Sequence, residues 1–118
     1  MAVLVFNAMP KGFKATHEEI GTGKPAVVFV YDPNFTSSNT QTEQMNAARS
    51  QIGDDALFLI ARVGSPAGEQ FQTQYRARSS DILLFSASGE VVDRARAVRS
   101  AGEIIQWVGS AREADAAK

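Results

Sequence analysis

The residues with the most chemical potential in this chain lie close together, in the run Phe35-Thr36-Ser37-Ser38-Asn39-Thr40. Four hydroxyls and a carboxamide follow an aromatic residue there, just after a strand-like apolar segment. Hydroxyl groups of this kind donate and accept hydrogen bonds at neutral pH but become nucleophiles only beside a general base. The single histidine, His17, sits far upstream next to Glu18 and Glu19, which as neighbours splay to different sides of a helix. On its own it reads as a surface residue rather than a catalytic base or a metal ligand. The carboxylates Asp32, Asp54, Asp55, Asp81 and Asp93 include no pair whose spacing argues for acid–base work. Two further motifs fail on order. Gly21-Thr22-Gly23-Lys24 is followed by Pro25 and a strand signal, the reverse of the strand–loop–helix order that a phosphate loop requires. Gly64-Ser65-Pro66-Ala67-Gly68 misses the nucleophile-elbow register.

Composition removes whole classes of chemistry. The chain contains no cysteine, which excludes disulfides, thiolate metal sites and thiol nucleophiles. No metal or cofactor is expected. The formal net charge of −1 gives no general attraction to nucleic acid or to anionic membranes. The basic residues Arg76, Arg78, Arg94, Arg96 and Arg99 form only a local concentration, read as a solvated face. Val3 to Phe6 is too short for a signal sequence and lacks a basic segment before it, and no apolar run is long enough for a membrane span. A soluble, cytoplasmic protein is the expectation. The 118 residues fit one domain spanning 1–118.

The elements that must position the polar run follow from periodicity. Val3 to Phe6 predicts a brief strand, and Thr16 with His17-Glu18-Glu19-Ile20 a short helix ended by Gly21, Gly23 and Pro25. Ala26 to Tyr31 is apolar on both faces, as in a central strand covered on both sides. Asp32-Pro33-Asn34 breaks it, and Met45, Ala48 and Ile52 set a helix over Thr40 to Gln51. Ala56 to Val63 is a second strand signal, and Ala67 to Tyr75 a short helix with Phe71 and Tyr75 on one face. Ile82 to Phe85 and Glu90 to Ala95 flank Ser86-Ala87-Ser88-Gly89 as a hairpin. Ser100 and Glu103 carry a capping-box pattern, and Ile104, Trp107 and Val108 read as the packing face of a terminal helix. Glu113 to Lys118 reads as a frayed tail. The order β-α-β-α-β-α-β-β-α predicts an α/β fold, a central mixed sheet with helices on both faces.

That order, with Ala26–Tyr31, Tyr75–Gly89 and the segment from Glu90 onward, resembles the thioredoxin family along nearly the full chain. The resemblance places the family's W-C-x-x-C segment at Phe35-Thr36-Ser37-Ser38-Asn39, with Thr36 and Asn39 where the cysteines would stand. A helix dipole cannot bring a hydroxyl into thiol-like redox cycling. The family's cis-proline falls at Ser80 or Asp81, where a cis bond without proline costs about 2.5–4 kcal/mol, so a trans bond is expected. Its buried proton-transfer acid falls at Phe29. Ser37 and Ser38 are adjacent, so they do not read as replaced C-x-x-C cysteines.

The resemblance therefore implies a redox-inactive thioredoxin-like domain. Its expected role is to bind a protein or peptide partner, as an adaptor, chaperone or assembly factor, using Phe35, Thr36, Ser37, Ser38, Asn39, Ser80 and Asp81. A competing expectation is thiol-independent binding of glutathione or another small molecule at the same loop, with Thr36 or Ser37 donating to its sulfur. No basic constellation beside that loop suggests itself for clamping carboxylates. A third expectation is a homodimer through a sheet edge or the loop face.

Overall fold

The computed structural model describes residues 17–116. The sheet has four strands: β1 (Ala26–Tyr31), β2 (Leu57–Arg62), β3 (Asp81–Phe85) and β4 (Val91–Arg96). Three helices accompany them: α1 (Thr36–Ile52), α2 (Pro66–Tyr75) and α3 (Ala101–Ala116). The strand order is β2-β1-β3-β4, with β1 parallel to β2 and antiparallel to β3, and β3 antiparallel to β4. The α/β fold with a mixed sheet and helices on both faces is therefore present.

Burial follows from position in the sheet. β1 lies inside, and every residue from Ala26 to Val30 is fully buried, which is why both of its faces are apolar. Val27, Phe29, Ile60, Ile82 and Leu84 face α1 and α3 and pack with Met45, Ile104 and Val108. Val28, Val30, Leu59, Leu83 and Phe85 face α2 and pack against Phe71 and Tyr75. Phe71 and Tyr75 are one helical turn apart, with ring centroids separated by 4.8 Å. β4 ends the sheet, and four of its six residues are exposed.

Each helix end has a local cause. Ser65 caps α2 by accepting from the Gly68 N–H at 3.0 Å, and Pro66 occupies the first turn. Ser100 and Glu103 form the reciprocal capping box of α3, at 3.2 and 2.9 Å. Gly53, at φ 68°, ends α1.

The structure differs from the sequence reading before β1. No helix forms from His17 to Ile20; the segment is a turn closed by Ile20 N–H to His17 C=O. Gly21 at φ 87° and Gly23 at φ 114° divert the chain before a full helical turn can propagate. The strand expected at Val3–Phe6, and Thr16, lie outside the described residues. At the other end, α3 extends through Glu113 to Ala116, and the Asp115 carboxylate accepts from the Ala87 N–H at 2.9 Å.

Candidate functional site

The polar run identified in the sequence lies at the C-terminal end of β1, where the chain leaves the sheet and turns into α1. Asp32 organises this exit. One carboxylate oxygen accepts the Asn34 N–H at 2.9 Å and the other accepts the Ser79 hydroxyl at 2.7 Å. The Asp32 N–H in turn donates to Ser38 Oγ at 3.1 Å. The Asn34 N–H and the Ser79 hydroxyl together hold the Asp32 carboxyl below its ordinary pKa, against a smaller opposing effect of burial.

The predicted site residues divide into two groups. Phe35, Thr36 and Ser37 stand at the start of α1 with Phe35 45% exposed. Phe35 occupies the N-cap position and supplies no side-chain cap. The Thr36 and Ser37 hydroxyls have no hydrogen-bond partner among the described residues. Ser38 and the Asn39 side-chain oxygen are bonded internally. Ser38 is fully buried, bonded to the Asp32 N–H, and its carbonyl accepts the Thr42 hydroxyl at 2.7 Å. Asn39 Oδ1 accepts the Tyr31 hydroxyl at 2.9 Å.

Ser80 and Asp81 approach the loop from β3. Ser79 reaches Asp32, and the Ser80 N–H donates to the Val30 carbonyl at 3.0 Å. Ser80 adopts φ 74°, a left-handed conformation held by this bond and by its carbonyl accepting the Ala97 N–H at 2.9 Å. The peptide bonds entering Ser80 and Asp81 are trans. Asp81 is directed elsewhere: it accepts the Arg78 N–H at 2.8 Å and pairs with Arg96 at 2.7 Å.

Sequence reasoning missed a third segment, Ala97–Arg99. Gln41, fully buried on α1, donates to the Arg99 carbonyl at 3.0 Å and accepts the Arg99 N–H at 2.6 Å. This clamp brings Val98, 45% exposed, to the same end of the sheet as the Asp32–Asn39 loop and the Ser79–Ser80 turn. A glutamine inside a helix carries no signal of a partner 58 positions away. Asp32 is legible in the sequence only as part of the Asp32-Pro33-Asn34 strand break, and its carboxylate bonds to the Asn34 N–H and to Ser79 are not.

His17 lies apart from this cluster, half-buried against Phe71 with Nε2 3.2 Å from the Ile60 carbonyl oxygen. Burial lowers its pKa more than that hydrogen bond raises it. No group of histidine and acidic side chains able to hold a metal ion occurs among the described residues. No helix among them is long and apolar enough to cross a membrane.

No protein-family model matches the chain, and no curated protein matches it by sequence. Its similarity is to solved structures. An uncharacterized thioredoxin-like protein from Clostridium perfringens aligns with a TM-score of 0.71 at 10% identity, covering 93% of this chain and 90% of that one. A thioredoxin-like protein from Edwardsiella tarda aligns at 0.65 and 17% identity, covering 77% and 87%. Thioredoxin-2, a component of the malaria parasite protein secretion machinery, aligns at 0.65 and 13% identity, covering 74% and 82%. Identities this low speak for the fold alone. The chain has a thioredoxin-like fold whose first turn of α1, just after β1, carries Thr36 and Asn39, and it contains no cysteine with which to perform thiol–disulfide exchange.

Proposed function

We propose that this domain binds a protein or peptide partner without catalysis, at the end of the sheet formed by the Phe35–Asn39 loop, the Ser79–Ser80 turn and Val98. The observation that carries the reading is the contrast within the segment from Asp32 to Asn39, which joins β1 to the first turn of α1. Asp32 bonds to Ser38 through its N–H and to Ser79 through its carboxylate, and Asn39 Oδ1 accepts from Tyr31, while Phe35 keeps an exposed ring and Thr36 and Ser37 two unpaired hydroxyls. An aromatic anchor with adjacent hydrogen-bonding groups on a rigid frame suits recognition of a peptide segment. Ser38 and Ser80 serve as its supports, and Asp81 closes the Arg78–Asp81 turn beside them. An adaptor, chaperone or assembly role follows from that binding.

Replacing Phe35 by alanine with Thr36 by valine tests this reading. The double variant should keep its thermal midpoint, since Phe35 is exposed, and lose capture of the partner recovered by the unaltered protein from its native host. Unchanged capture sinks the proposal. Stabilisation by glutathione, abolished by the same double variant, would instead favour a small-molecule site.

A further inference from the structure

A second surface, on the outer edge of β4, is independent of the loop. We propose that β4 takes up an extended peptide of a partner protein as an added strand, and that this peptide alternates apolar and acidic residues.

Backbone geometry makes the edge available. The Ala97 N–H bonds the Ser80 carbonyl, and Ala95 and Asp93 continue the same ladder opposite Ile82 and Leu84. In an antiparallel ladder the intervening residues turn their N–H and C=O groups to the other side. Arg94 and Arg96 therefore present their backbone groups away from β3, where no strand pairs with them among the described residues. Asp93 Oδ1 covers one of these donors, accepting the Arg94 N–H at 2.8 Å. A partner carbonyl replaces that contact on docking.

The two faces flanking this edge differ in chemistry. On the α3 side, Ala95, Ile104 and Trp107 supply the apolar part of a groove of about 230 Å³ between β4 and α3, whose lining also includes Asp93 and Arg94 from β4 and the Arg99–Glu103 ion pair. The Trp107 indole N–H is held by Asp93 at 2.7 Å, which fixes the ring along the groove. On the α2 side stand guanidinium groups. Arg94 donates to the Tyr75 carbonyl at 2.6 Å, and Arg96 to Asp81 at 2.7 Å and the Ser79 carbonyl at 3.3 Å. These bonds place both next to Arg76 and Arg78, which are exposed and without side-chain partners among the described residues. Of these four guanidinium groups only that of Arg96 pairs with a carboxylate among the described residues, Asp81. An added strand sends successive side chains to opposite faces. Every second residue meets the groove and the others meet the arginines.

Charge selects the occupant. A second copy adding through its own β4 would bring Arg94 and Arg96 against their counterparts, and like charges across strands repel. Residues 1–16 contain Lys11 and Lys14 and no acidic residue, so they complement this face no better. An acidic–apolar segment of another protein fits both faces.

The test uses the full chain, isotopically labelled, titrated with a peptide of β4's own six-residue length, Glu-Val-Glu-Val-Glu-Val. Lys-Val-Lys-Val-Lys-Val serves as control. The glutamate peptide should shift the Trp107 indole signal and slow exchange of the Arg94 and Arg96 amides about tenfold. Arg76→Glu with Arg78→Glu, which removes no internal contact, should weaken binding about tenfold and leave the fold intact. Equal binding of both peptides, no binding, or tighter binding of a single-stranded oligonucleotide overturns the proposal. So does a concentration-dependent dimer in sedimentation, or contacts between residues 1–16 and β4. Peptide-induced shifts confined to Phe35–Ser37 overturn it while leaving the loop reading standing.

Discussion

Asp32 and Ser79, 47 positions apart in the chain, share a 2.7 Å hydrogen bond that ties the exit of β1 to the turn before β3. With the Asn34 N–H on its other oxygen, the Asp32 carboxylate is stabilised in its charged form and its pKa lies below the ordinary value of about 3.9. The unfolded chain lacks these partners. Above that ordinary value both states are ionised and the full stabilisation is present. It is lost as pH falls from there through the lower native value. An NMR titration should find the Asp32 carboxyl titrating below its ordinary value, moving upward in Ser79→Ala. A native value at or above the ordinary one contradicts this account.

His17 obeys the same linkage at higher pH. Burial against Phe71 disfavours the imidazolium, and the Ile60 carbonyl only partly offsets it. The native value therefore lies below the ordinary one of about 6.5. The unfolded chain takes up the proton first, so stability is complete above that pH and declines as pH falls through the window. Thermal midpoints measured at about pH 8 and about pH 5 should drop more for the unaltered protein than for His17→Gln. Equal drops refute it.

Gln41 fills both hydrogen-bonding positions of Arg99 from inside α1. Leucine at this position keeps the volume but leaves the Arg99 N–H and C=O without their partner. The expected cost is about 1–3 kcal/mol. Urea unfolding of Gln41→Leu should show a lower midpoint with an unchanged slope. A midpoint equal to that of the unaltered protein contradicts the clamp.

Gly68 marks where α2 meets β2. A Cβ there would lie 1.9 Å from the Arg62 carbonyl oxygen, a backbone atom that cannot rotate away. Although alanine favours helices, Gly68→Ala should destabilise by about 1–3 kcal/mol or more because α2 must lift off the strand. Gly109→Ala on α3, with open space around its Cβ position, is the matched control and should be neutral or stabilising.

Legibility in the sequence tracked locality. Ala26–Tyr31 was predicted with its observed bounds because a central strand needs apolar residues on both faces. The Ser100–Glu103 capping box was equally plain, since its two hydrogen bonds join residues three apart. α1 begins at Thr36, four residues before the predicted start at Thr40, because Ser and Thr at 36–38 are weak helix formers and read as loop. Tertiary bonds from Asp32 and Tyr31 hold that first turn in place. The polar run after β1 was legible by position, but which of its polar groups are bonded internally was hidden. Nothing in the spacing of Ser37 and Ser38 says that one is half-buried with an unbonded hydroxyl and the other fully buried and bonded to Asp32. The contribution of Val98 depends on the Gln41 clamp, a contact between segments remote in sequence.

The internal hydrogen bonds of the loop after β1 also bear on how a partner would be met. Asp32, Ser38, Asn39 and Ser79 already fix the backbone that carries the Phe35 ring. Little disorder is left in this surface to be frozen at encounter, so the entropic cost of recognition falls on the other molecule. Affinity would then track how extended and stiff the incoming segment is before it arrives. A flexible segment and its cyclised form, identical in contacts, would then differ in affinity for the proposed surface.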